Sequence, residues 1–465
     1  MIPPRRVLLL NPPGEHVYIR DYYCSKISRT GYTFPPVDLL QAGAVFRGRG
    51  WEVSAIDAIV QGWDGERVLA EITQLAPDAV FNLIGAVSVE EDAVFLGEMR
   101  RRHPGVTLIG SGDVLLEHGV AWVEKGLLDA VALDFASPSP ARFAEGEGGA
   151  LPDLIHRRDG GTVVVGPRGT GKSVGVGLPP HELFRPLPYR FPFARRRPFA
   201  SLLTDHGCPY RCSFCVMATL HYHARPMDEV AAELRSLQDL GIREFALWDQ
   251  TFAISKPRAL EFLALLPRGR DAFGWTCFTR PDRVDADLAS AMAGSGCHTV
   301  IMGVETANEQ SLQDIRKEFT TDQMRQGFAV CRAAGMETVA TVIVGLPGET
   351  AADVEATMNF VCRLDPDYLS VHTAIPRAGT ALRTQMVEQG LISHDLANMD
   401  QSGEVAVVSS NALTADEIVM LRKRFNRRFH LRPRYLARRL LLALGDPARL
   451  VEQIRQGLAL LGRSA

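Results

Sequence analysis

Apolar runs alternate with amphipathic stretches along the first third of the chain. Val7–Leu10 is an apolar run that breaks into Asn11-Pro-Pro-Gly14, and an amphipathic stretch over Val37–Arg49 predicts a helix. The alternation then predicts helices over 65–75 and 90–103, and strands over 51–57, 78–84, 107–112 and 130–133. Strands that alternate with helices at this spacing are typical of a parallel, doubly wound sheet. We therefore predict an α/β domain over residues 1–136.

The same alternation returns after residue 196 and continues to about residue 410. It predicts strands over 199–204, 244–248, 274–278, 299–302, 338–344 and 368–373. It predicts helices over 227–240, 257–266, 286–294, 321–334 and 352–364. Six βα units therefore form a second domain, predicted over residues 196–410. If they form a barrel, polar residues at the carboxyl ends of its strands are the candidates for chemistry.

Residues 137–195 are predicted to be a linker, because this segment is rich in Pro, Gly and Arg. It contains Gly166–Ser173, a literal match to the phosphate-binding loop G-x4-G-K-[ST]. That loop requires a helix starting at its Lys-Ser pair, whereas Val174-Gly-Val-Gly-Leu-Pro-Pro180 disfavours a helix. We expect a strand–turn–strand here, with a turn at Arg158–Gly161, and no nucleotide hydrolysis.

Residues 411–465 are predicted to be a helical, basic C-terminal region. Twelve Arg and Lys residues lie between Arg422 and Arg463, against only Asp446 and Glu452. A basic amphipathic stretch of this kind can lie on an anionic membrane surface. It can equally pack on the preceding domain with its charged face in solvent. Both interpretations remain open on the sequence.

Composition narrows the class of protein without deciding its activity. A chain of 465 residues with a net charge of −3 and 23% charged residues is typical of a soluble protein and indicates no nucleic-acid partner. Eight cysteines are too few for a disulfide scaffold, so we expect a cytoplasmic protein. No window approaches the roughly 20 apolar residues of a membrane span, and the apolar run at Val7–Leu10 is too short for a signal peptide.

The strongest chemical signal is a group of three cysteines within eight residues, with the spacing C-x3-C-x2-C. They are Cys208, Cys212 and Cys215. Thiolates this close on one loop can converge on one soft metal centre, as they do at iron–sulfur clusters. A [4Fe–4S] cluster with three protein ligands would leave one iron open to an outside ligand. A zinc site would need a fourth ligand, which His206, His221 or His223 could supply.

With Phe214 between the last two cysteines, this motif resembles the signature of the radical SAM superfamily. The resemblance implies a partial (β/α)6 TIM-type barrel and a [4Fe–4S] cluster held by the three cysteines. It also implies that S-adenosylmethionine (SAM) chelates the open iron and is cleaved reductively to a 5′-deoxyadenosyl radical. The implied SAM contacts are Phe214, Asp249, Gln250, Arg280, Glu305, Val342 and Gly345.

Each implied SAM contact has its own role. Asp249-Gln250 stands where the methionyl amino group is usually met, although the usual Gly-Gly-Glu is absent. Arg280 suits the methionyl carboxylate, since a guanidinium pairs with it in a bidentate manner. Glu305 would accept hydrogen bonds from the ribose, with a barrel-rim ion pair as the alternative. Val342–Gly345 and Phe214 would pack on the adenine.

The first domain is similar to the Rossmann-like cobalamin-binding domain that precedes the barrel in one radical SAM subfamily. The similarity rests on Leu10–Pro13, Phe34–Leu40, Gly48–Val53, Pro77-Asp78 and Gly110–Gly112. The implied cobalamin contacts are Asn11, Pro12, Pro13, Gly14, Val87, Ser88, Gly110, Ser111 and Gly112. These small or polar residues suit the close approach of a large ligand.

The first domain also departs from that subfamily's pattern in two places. It contains no D-x-H-x-x-G motif, so we expect cobalamin without a protein histidine on cobalt. Leu133-Asp-Phe-Ala136 stands where relatives often carry Gly-Glu-Gly-Glu. A Rossmann-like domain that is only a scaffold remains the alternative.

The resemblance implies a cobalamin-dependent radical SAM enzyme that methylates an unactivated carbon of a small organic or lipid-like substrate. An external electron donor of the flavodoxin or ferredoxin type would supply electrons. Two alternatives remain open: oxidative cyclisation or rearrangement without methyl transfer, and a non-enzymatic cobalamin-binding scaffold. No residue in the sequence identifies the substrate.

Overall fold

Two largely parallel β-sheets organise the chain, and each is covered by helices. The computed structural model describes residues 4–158, 161–169, 176–393, 399–400 and 408–445. The strands of the first half are β1 Arg6–Asn11, β2 Tyr18–Ile19, β3 Lys26–Ile27, β4 Glu52–Asp57, β5 Ala79–Leu83, β6 Thr107–Ser111, β7 Ala130–Ala132, β8 Leu154–Arg157 and β9 Val163–Val165. Its helices are α1 Val37–Gly48, α2 Ala58–Gln61, α3 Gly65–Leu75, α4 Val89–Arg102, α5 Leu115–Glu124, α6 Ser139–Ala144 and α7 His181–Phe184.

The first sheet has the order β4-β1-β5-β6-β7-β8-β9, and the strands from β4 to β7 are parallel. Its centre is apolar because Val7–Leu10 in β1 is fully buried between the two helical layers. The predicted doubly wound α/β fold is confirmed. The carboxyl ends of β1, β5 and β6 all reach the same edge of this sheet, which faces the second domain.

The segment predicted as a linker contributes two strands to the first sheet. β8 pairs antiparallel with β7, and β9 pairs antiparallel with β8, so the sheet continues to residue 165. Just beyond β8, the Arg158 N–H donates to Thr162 O at 2.8 Å and the Gly161 N–H donates to Arg158 O at 3.0 Å, while residues 159–160 lie outside the described ranges. This hairpin covers the edge that β7 would otherwise expose.

The described half of the phosphate-loop match is engaged within the protein. The Gly169 N–H donates to Asp153 Oδ1 at 2.9 Å, so a carboxylate already occupies the donor that a phosphate would need. A Cβ at Gly166 would lie 1.7 Å from the Leu151 carbonyl oxygen, which explains the glycine by packing. Lys172 and Ser173 lie outside the described residues. The expectation of no nucleotide hydrolysis stays a prediction.

The second sheet belongs to the partial barrel and has the parallel order β10-β13-β14-β15-β16-β17. The strands of this half are β10 Ala200–Leu202, β11 Asp205–His206, β12 His223–Ala224, β13 Glu244–Phe252, β14 Gly274–Thr279, β15 Cys297–Glu305, β16 Glu337–Val344 and β17 Tyr368–Thr373. Its helices are α8 Met227–Asp239, α9 Lys256–Leu265, α10 Ala286–Gly294, α11 Glu309–Asp314, α12 Thr321–Ala333, α13 Ala351–Leu364, α14 Ala381–Glu388, α15 Ala415–His430 and α16 Pro433–Gly445. The six-stranded sheet with helices on one face confirms the predicted (β/α)6 architecture.

Two barrel strands are longer and less regular than the sequence predicts. β13 shifts its register against β14 between Leu247 and Phe252, and β15 shifts against β16 between Gly303 and Glu305. Such irregularities turn side chains away from strict alternation and are common beside functional sites. Both lie at the carboxyl end of the barrel, where the cysteine loop also lies.

Arginines of the C-terminal helices α15 and α16 form ion pairs with acidic residues of the barrel. Six of them pair with four barrel acids: Arg424, Arg428, Arg432, Arg434, Arg438 and Arg439 with Glu337, Glu355, Asp365 and Asp367. Half of the predicted basic residues are therefore engaged in packing on the barrel. A peripheral membrane contact stays a prediction, and residues 446–465 lie outside the described residues. Across the described part of the chain, no helix is both long and apolar enough to cross a membrane.

Candidate functional site

The three motif cysteines lie on one half-buried loop at the carboxyl end of the barrel, between β11 and β12. The loop is held by backbone bonds: Cys215 N donates to Cys212 O at 3.1 Å, and Ser213 N donates to Ile315 O at 3.0 Å. Burial, and then the nearby Cys212 and Cys208 thiols, raise the pKa of the Cys215 thiol to about 12. Three thiols this close disfavour one another's ionisation, and an iron–sulfur centre would stabilise all three thiolates. The loop therefore fits a cluster with three protein ligands.

The histidines considered as zinc ligands do not converge with these cysteines as a single-ion site. His206 and His223 pair across β11 and β12, and their rings stack with centroids 4.7 Å apart. His221 is exposed. Within the described ranges, no group of three His, Cys, Asp or Glu side chains is placed to hold one metal ion.

Arg280 is the clearest anion-binding group near the cysteine loop. Its guanidinium is 4% exposed, lies 3.9 Å from the Tyr210 ring centroid and donates from Nε to Asp282 Oδ1 at 2.9 Å. Its Nη1 is buried without a hydrogen-bond partner. A buried, unpaired guanidinium N–H is costly, so its presence indicates a ligand acceptor at this position.

Glu305 makes an ion pair that the sequence analysis considered only as an alternative. Its Oε1 accepts from Lys317 Nζ at 2.7 Å, and both side chains are almost fully buried. The residue sits at the last position of β15 with φ of +60°, which turns its side chain back into the barrel. Glu305 therefore lies at the carboxyl end of the barrel as predicted, but its carboxylate is already paired with Lys317.

Lys317, Tyr210 and Phe319 are site residues that the sequence analysis missed. Lys317 Nζ lies 5.5 Å from the Phe214 ring centroid and 5.7 Å from the Phe319 ring centroid, and the Arg280 guanidinium lies 4.9 Å from the Phe319 ring centroid. Two cations and three aromatic rings thus surround the cysteine loop. Nothing in the sequence distinguishes Lys317 from a solvent-exposed lysine, since Arg and Glu flank it. The backbone turns the Lys317 side chain inward at Arg316 and Glu318, which both have positive φ.

Asp249 and Gln250 differ in their availability to a ligand. Asp249 is 1% exposed and accepts from Thr204 N at 2.7 Å, from the Thr204 hydroxyl and from Asp205 N at 3.1 Å. Burial, and then the neighbouring Asp205, raise its pKa to about 7. Asp249 thus anchors the segment that leads into the cysteine loop. Gln250 is half-buried on the opposite side of the strand and keeps a side-chain amide for a ligand.

The predicted adenine contacts are packed tightly within the protein. Val342 is fully buried in the barrel core, so any contact with a ligand would have to come from its backbone. Gly345 has φ of +90°, and a Cβ there would lie 2.7 Å from Ile418 Cδ1 of α15. Its N–H donates to Glu349 Oε2 at 2.7 Å, and burial raises the pKa of Glu349 to about 7. Glu349 therefore shapes this turn. Phe214 is half-buried.

The predicted cobalamin contacts of the first sheet are joined by Arg20. Its Nη1 donates to Asn11 Oδ1 at 3.1 Å and to Pro12 O at 2.9 Å, and its Nη2 donates to Pro13 O at 3.0 Å. Its Nε donates to Ser88 Oγ at 2.9 Å. A buried ion pair with Asp92 neutralises the guanidinium. The loops after β1 and β5 are therefore held in fixed positions at the edge of the sheet.

The small residues at this edge are required by packing within the protein, and their role in the close approach of a ligand stays a prediction. A Cβ at Gly14 would lie 2.5 Å from the Tyr18 ring, and one at Gly112 would lie 1.7 Å from the Ile84 carbonyl oxygen. A Cβ at Gly110 would meet three apolar side chains at less than 3 Å. Sequence alone cannot separate these two causes, since both remove the side chain. Val87 is half-buried and Ser111 fully buried beside them.

One polar group between the two domains does fit a ligand. The Tyr22 hydroxyl is buried without a hydrogen-bond partner. Burial raises the pKa of Tyr22 well above its ordinary value, and the carboxylates of Asp249 and Asp38 raise it further. Tyr22 follows β2, in the loop that crosses the edge of the first sheet. This hydroxyl can donate to an acceptor on a molecule held between the sheet edge and the barrel.

Comparison with known proteins agrees with this geometry. Residues 203–361 match the family model of the radical SAM superfamily. The chain is 27% identical over 447 residues to the uncharacterised methyltransferase PH0819 of Pyrococcus horikoshii, covering 93% of this chain and 94% of that one.

Two solved structures share both domains of the fold. One is the radical SAM methyltransferase TsrM of Kitasatospora setae with cobalamin and a [4Fe–4S] cluster bound, with a TM-score of 0.66, 21% identity and coverage of 83% of this chain and 78% of that one. The other is the cobalamin-dependent radical enzyme OxsB with aqua-cobalamin and SAM bound, with a TM-score of 0.70, 13% identity and coverage of 97% and 72%.

The cysteine loop and the family match over residues 203–361 together indicate a radical SAM domain in this chain. The two-domain fold is shared with the two solved structures.

Proposed function

We propose that this enzyme binds a [4Fe–4S] cluster, SAM and cobalamin and methylates an unactivated carbon of a small organic or lipid-like substrate. The observation that carries the proposal is the placement of an unpaired Arg280 Nη1 beside the cysteine loop. The similarity to methyltransferases over almost the whole chain supports the choice of reaction. All eight cysteines are thiols, which suits work in a reducing cytoplasm.

In this proposal the barrel residues hold SAM by its charged ends. Cys208, Cys212 and Cys215 bind three irons of the cluster. The Arg280 Nη1 would donate to the methionyl carboxylate, and the ion-paired Lys317 lies against the same Phe319 ring. The Gln250 amide is placed for the methionyl amino group or the ribose.

The residues of the first domain hold cobalamin at the edge of the sheet that faces the barrel. The loops fixed by Arg20 would form the floor of this site, and the buried Tyr22 hydroxyl would be available to donate a hydrogen bond to the bound cofactor. When bound, the cofactors supply a carbon-centred radical and a transferable methyl group. The protein holds the cofactors in their relative positions and excludes water. Overall, a substrate C–H becomes C–CH3. One SAM leaves as S-adenosylhomocysteine, another as methionine and 5′-deoxyadenosine, and an external low-potential donor provides the electrons.

Anaerobic turnover with SAM deuterated at its methyl group tests the proposed reaction. The reconstituted enzyme, cobalamin and a reductant are incubated with a metabolite and lipid extract and analysed by mass spectrometry. We expect a product that carries the CD3 group, together with 5′-deoxyadenosine. A 5′-deoxyadenosine-dependent product without CD3 would establish cyclisation or rearrangement instead. Absence of 5′-deoxyadenosine under every condition would overturn the proposal.

We expect cobalamin to be bound without a protein imidazole on cobalt. His16 is the histidine nearest in sequence to the loop after β1, and it is exposed, with its ring edge-on to Tyr18 at 5.7 Å. Two prolines stiffen the segment before it, so coordination would require the loop to be displaced. EPR of the Co(II) form should show no splitting from an axial protein nitrogen, and His16→Ala should leave the spectrum unchanged. A nitrogen splitting that vanishes in His16→Ala would contradict this expectation.

A further inference from the structure

Residues 375–383, which we call the strap, follow β17 of the barrel but pack into the first domain. Ile375 and Ala378 are 5% and 0% exposed and belong to the apolar core beneath the first sheet. They lie there with Val114 and Leu115 from the start of α5. A segment of the second domain is therefore part of the core of the first.

One end of the strap is held by a buried carboxylate at the predicted cobalamin edge. Arg377 Nη1 lies 3.3 Å from Asp113 Oδ2, and both residues are less than 4% exposed. The same Oδ2 accepts from Ser25 N at 2.9 Å and from Ser25 Oγ at 2.7 Å. Asp113 Oδ1 accepts from Ala86 N at 2.9 Å and from Val114 N at 3.0 Å. Asp113 thus joins the loops after β2, β5 and β6 to the strap.

The other end of the strap is bonded to the cysteine loop. Leu382 N donates to Ser213 O at 2.8 Å, and Ser213 lies between Cys212 and Cys215. Gly379 has φ of +74°, and a Cβ there would lie 3.3 Å from Thr219 Cγ2, just beyond the cysteine loop. A second ion pair, from Arg383 Nε to Glu117 Oε1 at 2.6 Å, holds this end to α5.

We infer that the strap sets the position of the cobalamin edge relative to the cluster loop, with Arg377 as its positioning residue. Hydrogen bonds and an ion pair connect Ser25 and Ala86 through Asp113 to Arg377. The backbone of the strap then leads to Leu382, whose N–H donates to the Ser213 carbonyl. Methyl transfer between two cofactors depends on their separation, since a small misplacement of reacting groups is costly. The consequence for catalysis rests on the proposed function, whereas the mechanical link itself rests only on these contacts.

Hydrogen exchange of the cofactor-free protein tests the link directly. In Arg377→Met, peptides containing Ser25, Ala86 and the cysteine loop over 208–220 should exchange roughly tenfold faster or more, because the partner charge Asp113 is left buried and unpaired. Arg102→Met is the matched control, since it removes a partly exposed ion pair with Glu66 in the same domain. The control should leave those peptides unchanged.

A change confined to residues 375–383 would overturn the inference. If Arg377→Met does not fold, Arg377→Lys carries the same comparison. It keeps the cation and should accelerate exchange in the same three segments by a smaller factor. Exchange unchanged in all three would again overturn the link.

A second measurement concerns the loaded enzyme. Arg377→Met should keep its iron and bind cobalamin, yet alter the dipolar broadening between Co(II) and the reduced cluster in EPR. Broadening identical to that of the wild type would overturn the positional role. Failure of the wild type to bind cobalamin would refute the proposed function and leave the exchange result standing.

Discussion

Replacing Cys212 with alanine is expected to abolish assembly of the iron–sulfur cluster and, with it, all cleavage of SAM. Cys212 lies between the other two cysteines on a loop whose backbone is fixed by bonds to Ile315 and Leu382. No other cysteine in the sequence lies near this loop along the chain: the next is Cys277. Since each protein ligand is a cysteine thiolate, the variant keeps only two of the three ligands of the cluster. Iron analysis after reconstitution should fall from about four irons per chain to background.

The matched control for this experiment is Cys362→Ala. Cys362 is also a half-buried thiol of the barrel, but it lies in α13 away from the cysteine loop. It should keep full iron content and full production of 5′-deoxyadenosine. Retained 5′-deoxyadenosine formation in Cys212→Ala would refute the assignment of this cysteine as a ligand.

Arg280→Met is expected to weaken SAM binding without removing the cluster. The methionine chain can keep much of the contact with Tyr210 and Phe319 but cannot donate a hydrogen bond. A hydrogen bond to a charged partner contributes about 1.5–3 kcal/mol, which corresponds to roughly a 10- to 150-fold loss of affinity. Equilibrium binding of SAM to the reconstituted variant measures this loss, and its iron content and visible spectrum should match the wild type.

Arg283→Met provides the control for this prediction because the two arginines share partners. Arg283 also pairs with Asp282 and lies 5.5 Å from the Tyr210 ring, but its side chain is 39% exposed. Its loss should change SAM affinity by less than about threefold, as is typical of exposed pairs. Equal losses in the two variants would show that Asp282 or the loop geometry, rather than the Arg280 Nη1, sets the affinity.

The overall architecture was predictable because it follows from periodicity. Helices such as α3 and α10 begin and end at the predicted residues, since an aspartate caps the N-terminus of each and an apolar face is buried along it. The cysteine loop was predictable for a different reason, because its spacing is local and needs no knowledge of tertiary contacts. The hairpin of β8 and β9 was predicted as a turn, but its membership of the first sheet was not, since strand pairing is non-local.

The remaining site residues depend on long-range contacts that a single sequence does not display. Glu305 was expected to face a ribose, yet it pairs with a lysine twelve residues later in a loop of irregular conformation. Asp249 was expected at the amino group of SAM, yet its Oδ1 accepts from the Thr204 and Asp205 N–H groups and its Oδ2 accepts from the Thr204 hydroxyl. Asp113 and Arg377 lie 264 residues apart and carry no local signal. In each case the decisive partner is distant in the chain or turned inward by its backbone.

The packing of Ile375 and Ala378 beneath the first sheet limits how the two halves of this protein can be exchanged with those of relatives. A hybrid that joins the N-terminal region of another enzyme to this barrel would bring a foreign surface against these two side chains and against Arg377. Each of its two cofactor domains would be intact, yet the interface between them would be poorly packed. A functional hybrid must therefore take residues 375–383 from the same enzyme as the N-terminal region. The segment that must be exchanged as one unit is thus encoded in two separate parts of the gene.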